Sequence, residues 1–478
     1  MIFKFNERSP ATESPQLKAA LKHQLVMTER MEKCSDKADQ QLVSTICRKY
    51  PTLRDEQPFK TVYRWLEGKR QDDAVGNLWR IHDTLYDLSD FADQHPGGTS
   101  WIRLTKGTDI TEAFETHHIE TYAEKLLPRF KVGEAKHPRN VTLTFHEDGF
   151  FRTLKRRVRE QLRFVNRTPI ESSKTIIDCL IVTVSLFAAL AIRQQSYLFA
   201  ALTGVLVSWT MIASHNYFHK RDNWRMRLFN LAFLSYREWR IAHILSHHLY
   251  PNSLLDLEMS YFEPVFCWLP DPNTKGSFQR YGSWVYGPTF YALGCMIDFL
   301  NRFVISIKDL KPAFHWDDSV SFILPIFMFL IGYPDTSLTE VLSMWIFIIC
   351  VASFCFSFTS ANSAHHHPDI VHNGDLIPDN MDFGLYQIAT IVDRSDVKGS
   401  LFAVLITYGD HCLHHLFPTL DHAILPQLYP VFLETCKQFE TEYRENGWID
   451  HIVGQHQQLA RIETTIYDPK KKLKNRVH

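Results

Sequence analysis

His215-Asn216-Tyr217-Phe218-His219, His243-Ile244-Leu245-Ser246-His247-His248 and His411-Cys412-Leu413-His414-His415 decide how the rest of this chain is read. Each cluster stands beside a stretch apolar enough to enter a bilayer. His215 and His219 are i, i+4, as are His243 and His247, while His411, His414 and His415 are i, i+3, i+4. On a helix such residues stack on one face and can reach inward together. Imidazole suits iron, zinc, copper and nickel. The eight imidazoles are too many for one ion and about right for two. Bundles hold a metal pair in this way, with short-spaced ligands on facing helices. Acidic residues close to the clusters are sparse, so nitrogen ligation is expected. Imidazole-rich sites with open positions suit ferrous iron and dioxygen. A single His-x-x-x-His occurs by chance, and a lone histidine at a membrane end is usually structural. Three clusters in register with apolar segments are a different matter.

Working outward, residues 175–192 and 197–214 are apolar runs separated only by Arg193-Gln194-Gln195-Ser196. A second pair, 319–333 and 338–360, is separated by Pro334-Asp335-Thr336-Ser337. A span needs about 20 apolar residues, so two membrane hairpins are expected. Residues 284–307 are apolar but interrupted by Asp298, Asn301 and Arg302, which places them at the interface. An even number of crossings puts every clustered histidine on one side. Arg221, Arg225, Arg227, Arg237 and Arg240 share that side, and the positive-inside rule makes it cytosolic. Ahead of the first span, Phe151, Leu154, Val158, Leu162 and Val165 share a helix face. Arg152, Lys155, Arg156, Arg157, Arg159 and Arg163 surround it. This predicts a helix lying in the cytosolic headgroup layer, the alternative being an ordinary surface helix.

The length of 478 residues allows two or more domains. A net charge of −1 argues against a general nucleic-acid footprint. Phe and Trp are abundant, at 34 and 11, and the apolar runs concentrate in the second half. That pattern predicts a water-facing front joined to a membrane body. The nine cysteines show no paired framework and read as reduced thiols. Met1 to Arg8 lacks the apolar core of a signal peptide, so insertion would depend on later segments.

The front has its own site. Residues 1–56 are polar and predict a mobile extension with some helix and no chemistry. From 57 to 136 the texture changes. Leu78 to His82 alternates like a strand, Asp83-Thr84 can turn it, and Leu85-Tyr86-Asp87 can continue it. Ser89-Asp90-Phe91 looks like a cap leading into a helix, and His95-Pro96-Gly97-Gly98 must break that helix. Short helices are expected around Thr99–Leu104 and Thr111–Phe114. Residues 137–174 form a basic amphipathic linker, 175–440 the membrane domain, and 441–478 a polar C-terminal tail. The expected fold class is a small α+β domain followed by an all-α, multi-span membrane domain carrying three histidine boxes.

His95-Pro96-Gly97-Gly98, followed by His118, resembles a cytochrome b5 domain. Tyr86-Asp87, Phe91, Gly107, Asp109, Thr111 and Phe114 stand in the family's order. The resemblance implies haem b held axially by His95 and His118, with His117 as the neighbouring alternative. Two imidazoles leave no open position, so such a haem carries electrons. Arg103 and Lys106 are basic where the family surface near the haem is usually acidic.

Residues 170–440 resemble the membrane fatty-acid desaturase family. His414-His415-Leu416-Phe417-Pro418-Thr419-Leu420 looks like the third histidine box of front-end acyl desaturases, and Leu425 to Pro430 is also similar. His411 occupies the position where front-end enzymes usually carry Gln. The second box has three intervening residues where they usually have two. The resemblance implies two iron ions held by His215, His219, His243, His247, His248, His411, His414 and His415. Asn362, in Ser360 to His365, resembles a segment that gives an extra ligand, with His365, His366 and His367 as competitors. His372 and His422 are expected as supporting or surface groups. The chain as a whole looks most like the desaturase-like branch called cytochrome b5-related. That implies electrons passing from haem to a di-iron centre for O2-dependent desaturation of an acyl-CoA or acyl-lipid. Lipid hydroxylation and a non-desaturating haem electron carrier are the alternatives. It also implies NADH-cytochrome b5 reductase as donor and a multi-pass position in the endoplasmic reticulum membrane, with haem domain and histidine boxes cytosolic.

Overall fold

The alternation at Leu78–His82 and the turn after it produce a hairpin. In the computed structural model, which describes residues 44–55, 61–309 and 314–471, α1 (Val62–Asp73) precedes β1 (Trp79–Ile81) and β2 (Thr84–Tyr86). Then come α2 (Thr99–Leu104), α3 (Thr111–His117) and β3 (Lys131–Glu134), which returns to pair antiparallel with β2. Trp79, Ile81, Ile102, Ile110 and Phe114 form the core of this small domain. The Trp79 indole N–H donates to the Ile102 carbonyl at 3.0 Å, so burying the ring orphans no donor. Val62 and Leu66 of α1 face the other way and pack on Ile241, Ala242 and Leu245, beside the second histidine box.

The basic amphipathic segment is α4 (Phe150–Gln161), and its position corrects the headgroup expectation. Phe150, Phe151, Leu154 and Val158 are fully buried in a protein core. Phe151 meets Phe383 at 5.2 Å and Phe417 at 6.1 Å between ring centres. The cationic face is used as well. Glu115 of α3, 1% exposed, accepts from Lys155 Nζ at 3.0 Å and from Arg152. Periodicity correctly gave an amphipathic helix. Aromatic rings cover its apolar face and a buried carboxylate holds its cations, so it struts the front domain against the body.

α5 (Pro169–Gln194) and α6 (Tyr197–Ser214) make the first apolar hairpin. α7 (Ser283–Asp309), α8 (Ile323–Gly332) and α9 (Leu338–Ala361) come next. Among the described residues, four helices are long and apolar enough to cross a membrane: Pro169–Gln194, Tyr197–Tyr217, Ser283–Lys308 and Leu338–Ala361. Two expectations change here. The 284–307 run, expected at the interface, meets the spanning criterion, whereas 319–333 yields only the ten residues of α8. Ten residues rise about 15 Å, half of a hydrocarbon core of about 30 Å. The cause is polar. Trp316–Phe322 winds as a tighter 3-10 helix, in which buried Asp317 and Asp318 pair with Arg237 and Arg302.

The short turns of both hairpins lie together. Gln195 donates to Thr336 Oγ1 at 3.4 Å, and Arg193 pairs with Asp335 at 3.6 Å. α6 and α9 run side by side from that end, and the histidines begin where these helices finish. α10 (Phe383–Ala389), α11 (His411–Leu416), α12 (Tyr429–Gln438) and α13 (Trp448–Ala460) complete the fold.

Both chain ends depart from expectation. The extension expected over 1–56 lies outside the described residues as far as 43, but residues 44–55 are docked. The Thr45 N–H donates to Asn373 Oδ1 at 2.9 Å, the Thr52 hydroxyl to Asp72 at 2.6 Å, and Arg54 twice to Glu263 at 2.9 Å. The polar tail expected from 441 is likewise integral. β5 (Glu445–Asn446) pairs parallel with β4 (Asp393–Arg394), and α13 buries Gln455, Gln458 and Leu459. Its polar residues hold backbone in place: Gln458 Nε2 donates to the Trp268 carbonyl at 2.6 Å. Among the described residues no cysteine forms a disulfide.

Candidate metal centre and haem site

The first box starts where α6 tightens into a 3-10 turn, His215–Tyr217. The second lies on a π-helical stretch, Arg240–His247, in which the His248 N–H bonds the His243 carbonyl at 2.8 Å. An i to i+5 turn holds more residues than an α-turn and recurs at functional sites. It absorbs the additional residue of this box and still turns His243, His247 and His248 inward. The third box is α11, whose Cys412 N–H is tied to Asp393 Oδ1 at 3.0 Å.

The boxes converge on two donor groups. His215, His219, His243, His248 and His414 form one, and His247, His365, His411 and His415 the other. Within each group the donor atoms lie within 4.8 Å of one another, and every ring is buried. All eight expected histidines are therefore brought in, with His365 as a ninth. Asn362, the expected additional ligand, caps α9 and donates from Nδ2 to the Phe358 carbonyl at 2.8 Å, which leaves its buried Oδ1 without a hydrogen-bond partner. His365 reaches further, with Nε2 at 2.8 Å from His411 Nε2 and 3.3 Å from His415 Nε2. His366 stacks instead on Trp268 at 3.6 Å, and His367 lies 3.9 Å from Asp369. His372 and His422 are buried, with Nδ1 atoms bonded to the Ile370 carbonyl and Asn216 Oδ1.

Partners behind the rings set their tautomers. His243 Nδ1 donates to Glu258 at 2.7 Å and His247 Nδ1 to Asp256 at 2.8 Å. His365 Nδ1 donates to the Thr390 carbonyl and His415 Nδ1 to Gln387 Oε1, each at 3.0 Å. With the proton on Nδ1, each Nε2 offers a lone pair, and these lone pairs face one another. His215 and His243 Nε2 are 2.7 Å apart, and His248 and His243 Nε2 3.0 Å. Lone pairs at this range repel unless a cation lies between them. Two nitrogens each about 2.1 Å from one ion at right angles stand about 3 Å apart, so the donor sets fit metal. Carboxylate or carbonyl partners behind metal-binding histidines raise their basicity and fix their orientation. Sequence reading missed Asp256, Glu258, Gln387 and Thr390. The acidic pair in Leu255-Asp256-Leu257-Glu258 was the available signal.

The electrostatics agree. Burial, then neighbouring imidazoles, hold His219, His248, His411, His414 and His415 well below the usual histidine value, in the neutral ligand form. His247 differs: burial opposes its charge, but Asp256 and Glu258 outweigh it and push that ring up to about 9, so a bound cation would have to displace its Nε2 proton at neutral pH.

In the front domain, His95 and His118 face each other with ring centres 6.1 Å apart. Two imidazoles bound at roughly 2 Å to one ion, with ring centres about an ångström further out, give about that spacing. Each Nδ1 donates to a carbonyl, of Gly98 at 3.1 Å and Phe114 at 2.9 Å, which leaves both Nε2 atoms for iron. Burial lowers both rings, His118 to about 4. A Cβ on Gly97 would lie 2.9 Å from His95 Cε1, so a side chain there would displace the ring. The residues fit a haem held by two imidazoles. His117 points elsewhere, with Nε2 3.3 Å from His219 Nδ1. The surface basicity noted at Arg103 is offset by Asp93 at 2.8 Å.

A cavity of about 600 Å³ runs from His243, His247, His365 and His411 to Phe290, Ile297, Leu300 and Val304 of α7. It is in the size range of small-molecule sites and mostly apolar. Glu238 on its wall is pushed up to about 8 by burial, so it is largely neutral at pH 7 and costs the apolar lining little.

These features define a cytochrome b5 domain joined to a histidine-box membrane domain. A fatty acid desaturase model matches residues 195–447, and a cytochrome b5-like haem/steroid-binding model matches residues 65–136. The chain is 46% identical to the cytochrome b5-related protein of Drosophila melanogaster over 88% of its own length and 96% of that relative. It is 23% identical to the acyl-lipid (8-3)-desaturase B of Dictyostelium discoideum over 83% of its length and 92% of that protein. The Delta(8)-fatty-acid desaturase 2 of Arabidopsis thaliana is 25% identical over 81% of the chain and 90% of its own. No solved structure matches. The chain belongs to the fatty acid desaturase family, in its cytochrome b5-related branch.

Proposed function

We propose that this protein is an O2-dependent acyl-chain desaturase that draws its electrons from its own haem domain. The observation that carries the reading is the cavity. It opens on His243, His247, His365 and His411, members of both donor groups, and is otherwise mostly apolar. His215, His219, His243, His248 and His414 would hold one iron ion, and His247, His365, His411 and His415 a second. His95 and His118 would hold haem b. Bound iron supplies dioxygen activation, and bound haem supplies single electrons.

The chain's own residues do the rest. Asp256 and Glu258 keep the second box in the tautomer that presents Nε2. Trp239 lies flat against His243 at 4.8 Å and joins the cavity wall, fixing the ring against which an acyl chain would lie. Phe290, Phe356 and Val304 exclude water from the alkyl segment and leave its polar head outside. A carbon next to the donor groups is thereby held for hydrogen removal. Adjacent removal gives a double bond, while a single removal with oxygen return gives a hydroxyl. Desaturation is favoured by the relatives whose names assign it.

The substrate class is an acyl-CoA or acyl-lipid and the electron donor NADH-cytochrome b5 reductase. The site of action is the endoplasmic reticulum membrane, with both redox sites cytosolic. The candidate spans, the shared position of the hairpin turns and the arginines beside the boxes support that orientation. The test uses full-length protein loaded with haem and iron and supplied with NADH, reductase, oxygen and acyl-CoA or phospholipid. New unsaturation, analysed by mass spectrometry and abolished in His414→Ala, is expected. Iron-loaded protein that reduces oxygen without altering any acyl chain would overturn the reading.

A further inference from the structure

We propose that His117 is the bridge by which electrons cross from the haem site to the metal pair, an inference that rests on the desaturase reading above. His117 and His118 are neighbours at the end of α3, yet their rings diverge. His118 faces His95, and His117 faces His219 of the first histidine box, with ring centres 5.5 Å apart. The hydrogen bonds define a direction. His117 Nδ1 donates to the Ala113 carbonyl at 3.0 Å, so its Nε2 is an acceptor. It accepts from His219 Nδ1 at 3.3 Å. His219 Nε2 is buried without a partner and belongs to the first donor group. One peptide link thus joins His117 to a haem-side imidazole, and one hydrogen bond joins it to a metal-side imidazole. Among the described residues, no other member of either donor group bonds or stacks with the front domain.

The surroundings hold the contact closed. Trp101 of α2 lies 6.4 Å from the His117 ring, and Arg240 sits over Trp101 at 4.3 Å. Arg240 Nε donates to the Phe218 carbonyl at 3.0 Å, next to His219. Electron tunnelling falls steeply with distance and favours bonded over through-space steps, so a route of one peptide link and one hydrogen bond between the two imidazole sets is a favourable crossing. Each transfer oxidises a ferrous haem to ferric and reduces a ferric ion of the pair to ferrous. Two transfers, two protons and two hydrogens from the acyl chain convert dioxygen to two waters, with NADH and the reductase as the electron source. The second box packs on α1 of the front domain through Leu245, but its imidazoles are not part of this route.

The experiment tracks the haem, not the product. Full-length protein loaded with haem and iron is reduced by NADH and reductase, then mixed with oxygen and oleoyl-CoA, and loss of the ferrohaem band is timed by stopped flow. His117→Phe keeps a ring of similar bulk and removes the acceptor. It is expected to slow reoxidation at least tenfold, with haem spectrum, reduction potential and iron content unchanged. His117→Gln, whose Oε1 can accept from His219 Nδ1, is expected to recover part of the rate. A wild-type rate in His117→Phe overturns the bridge and leaves the desaturase reading standing. A slowdown that only tracks lost iron also overturns it, because His117 would then merely prop His219. If wild-type haem reoxidises no faster with iron than without, the desaturase reading itself fails and the bridge with it.

Discussion

Replacing Glu115 with Gln should loosen the front domain from the membrane body without touching either redox site. Glu115 is 1% exposed and takes hydrogen bonds from His82 Nε2 at 2.7 Å, Lys155 Nζ at 3.0 Å and Arg152. The Lys155 side chain is 3% exposed, and its other carboxylate, Glu124, is 3.6 Å away. Removing one partner of a buried pair costs about 3–5 kcal/mol, because the remaining charge is stranded. Arg152 also pairs with the exposed Glu147, so it can turn to water, and the low end applies. About 3 kcal/mol is roughly a 100-fold change in the docked population. Hydrogen exchange across residues 131–149 and α4, followed by mass spectrometry, measures it. Protection should fall by about that factor in Glu115→Gln, while the haem spectrum stays as in wild type. Unchanged protection would refute the claim that this carboxylate fastens the strut. The pH dependence has a definite sign. Burial would raise the Glu115 carboxyl, but His82, Lys155 and Arg152 outweigh it and hold it well below its ordinary 4.5. A depressed carboxylate contributes stability that is complete above the unfolded value and lost as pH falls through the folded one. Wild-type protection from this group should therefore be flat between about pH 5 and 8 and decline only in stronger acid, and the Gln variant should lack that acid limb.

Three further outcomes are expected. His365→Ala should lower bound iron toward one ion per haem, whereas Asn362→Ala should retain both, as measured by metal analysis of purified protein. Asp256→Asn should weaken metal binding roughly 10- to 100-fold by freeing the His247 ring, which a competitive chelator titration reads. Gly204→Ala would set a Cβ 2.7 Å from Val351 Cβ and 2.8 Å from the Ile348 carbonyl, where α6 meets α9. Overpacking there should cost about 1–3 kcal/mol, seen as a lower melting temperature in detergent.

The histidine boxes were legible because short spacings put ligands on one face, whatever the tertiary arrangement. His365 was legible only as one of three consecutive histidines competing with Asn362, and the approach of His411 and His415 distinguishes it from His366 and His367. Asp256 and Glu258 were visible as acids but acquired a role only when the chain after the second box folded back onto it. The amphipathic phase of α4 was equally plain. Hydropathy cannot say whether lipid or a ring such as Phe383 covers an apolar face. The 319–333 run misled for the converse reason. Its apolar side chains are real, but Arg237 and Arg302, distant in sequence, anchor Asp317 and Asp318 and shorten the helix. At His117 and His118, sequence spacing chose between two neighbours as candidate haem ligands, and could not reveal that the other meets His219.

The strap at residues 44–55 has a consequence for biogenesis. Thr45 bonds Asn373 across 328 residues of chain. During synthesis that contact cannot form until the intervening apolar helices have been made. Domains generally fold as units, N-terminal first, so the front domain can fold and take up its cofactor as an unattached module on the growing chain. The N-terminal end of the strap then closes onto a body whose membrane-length helices have already been made. The Thr45–Asn373 fastening therefore follows the earlier contacts of Arg54 with Glu263 and of Glu115 with α4, and a chain truncated before residue 373 would keep those contacts and lose only the N-terminal end of the strap.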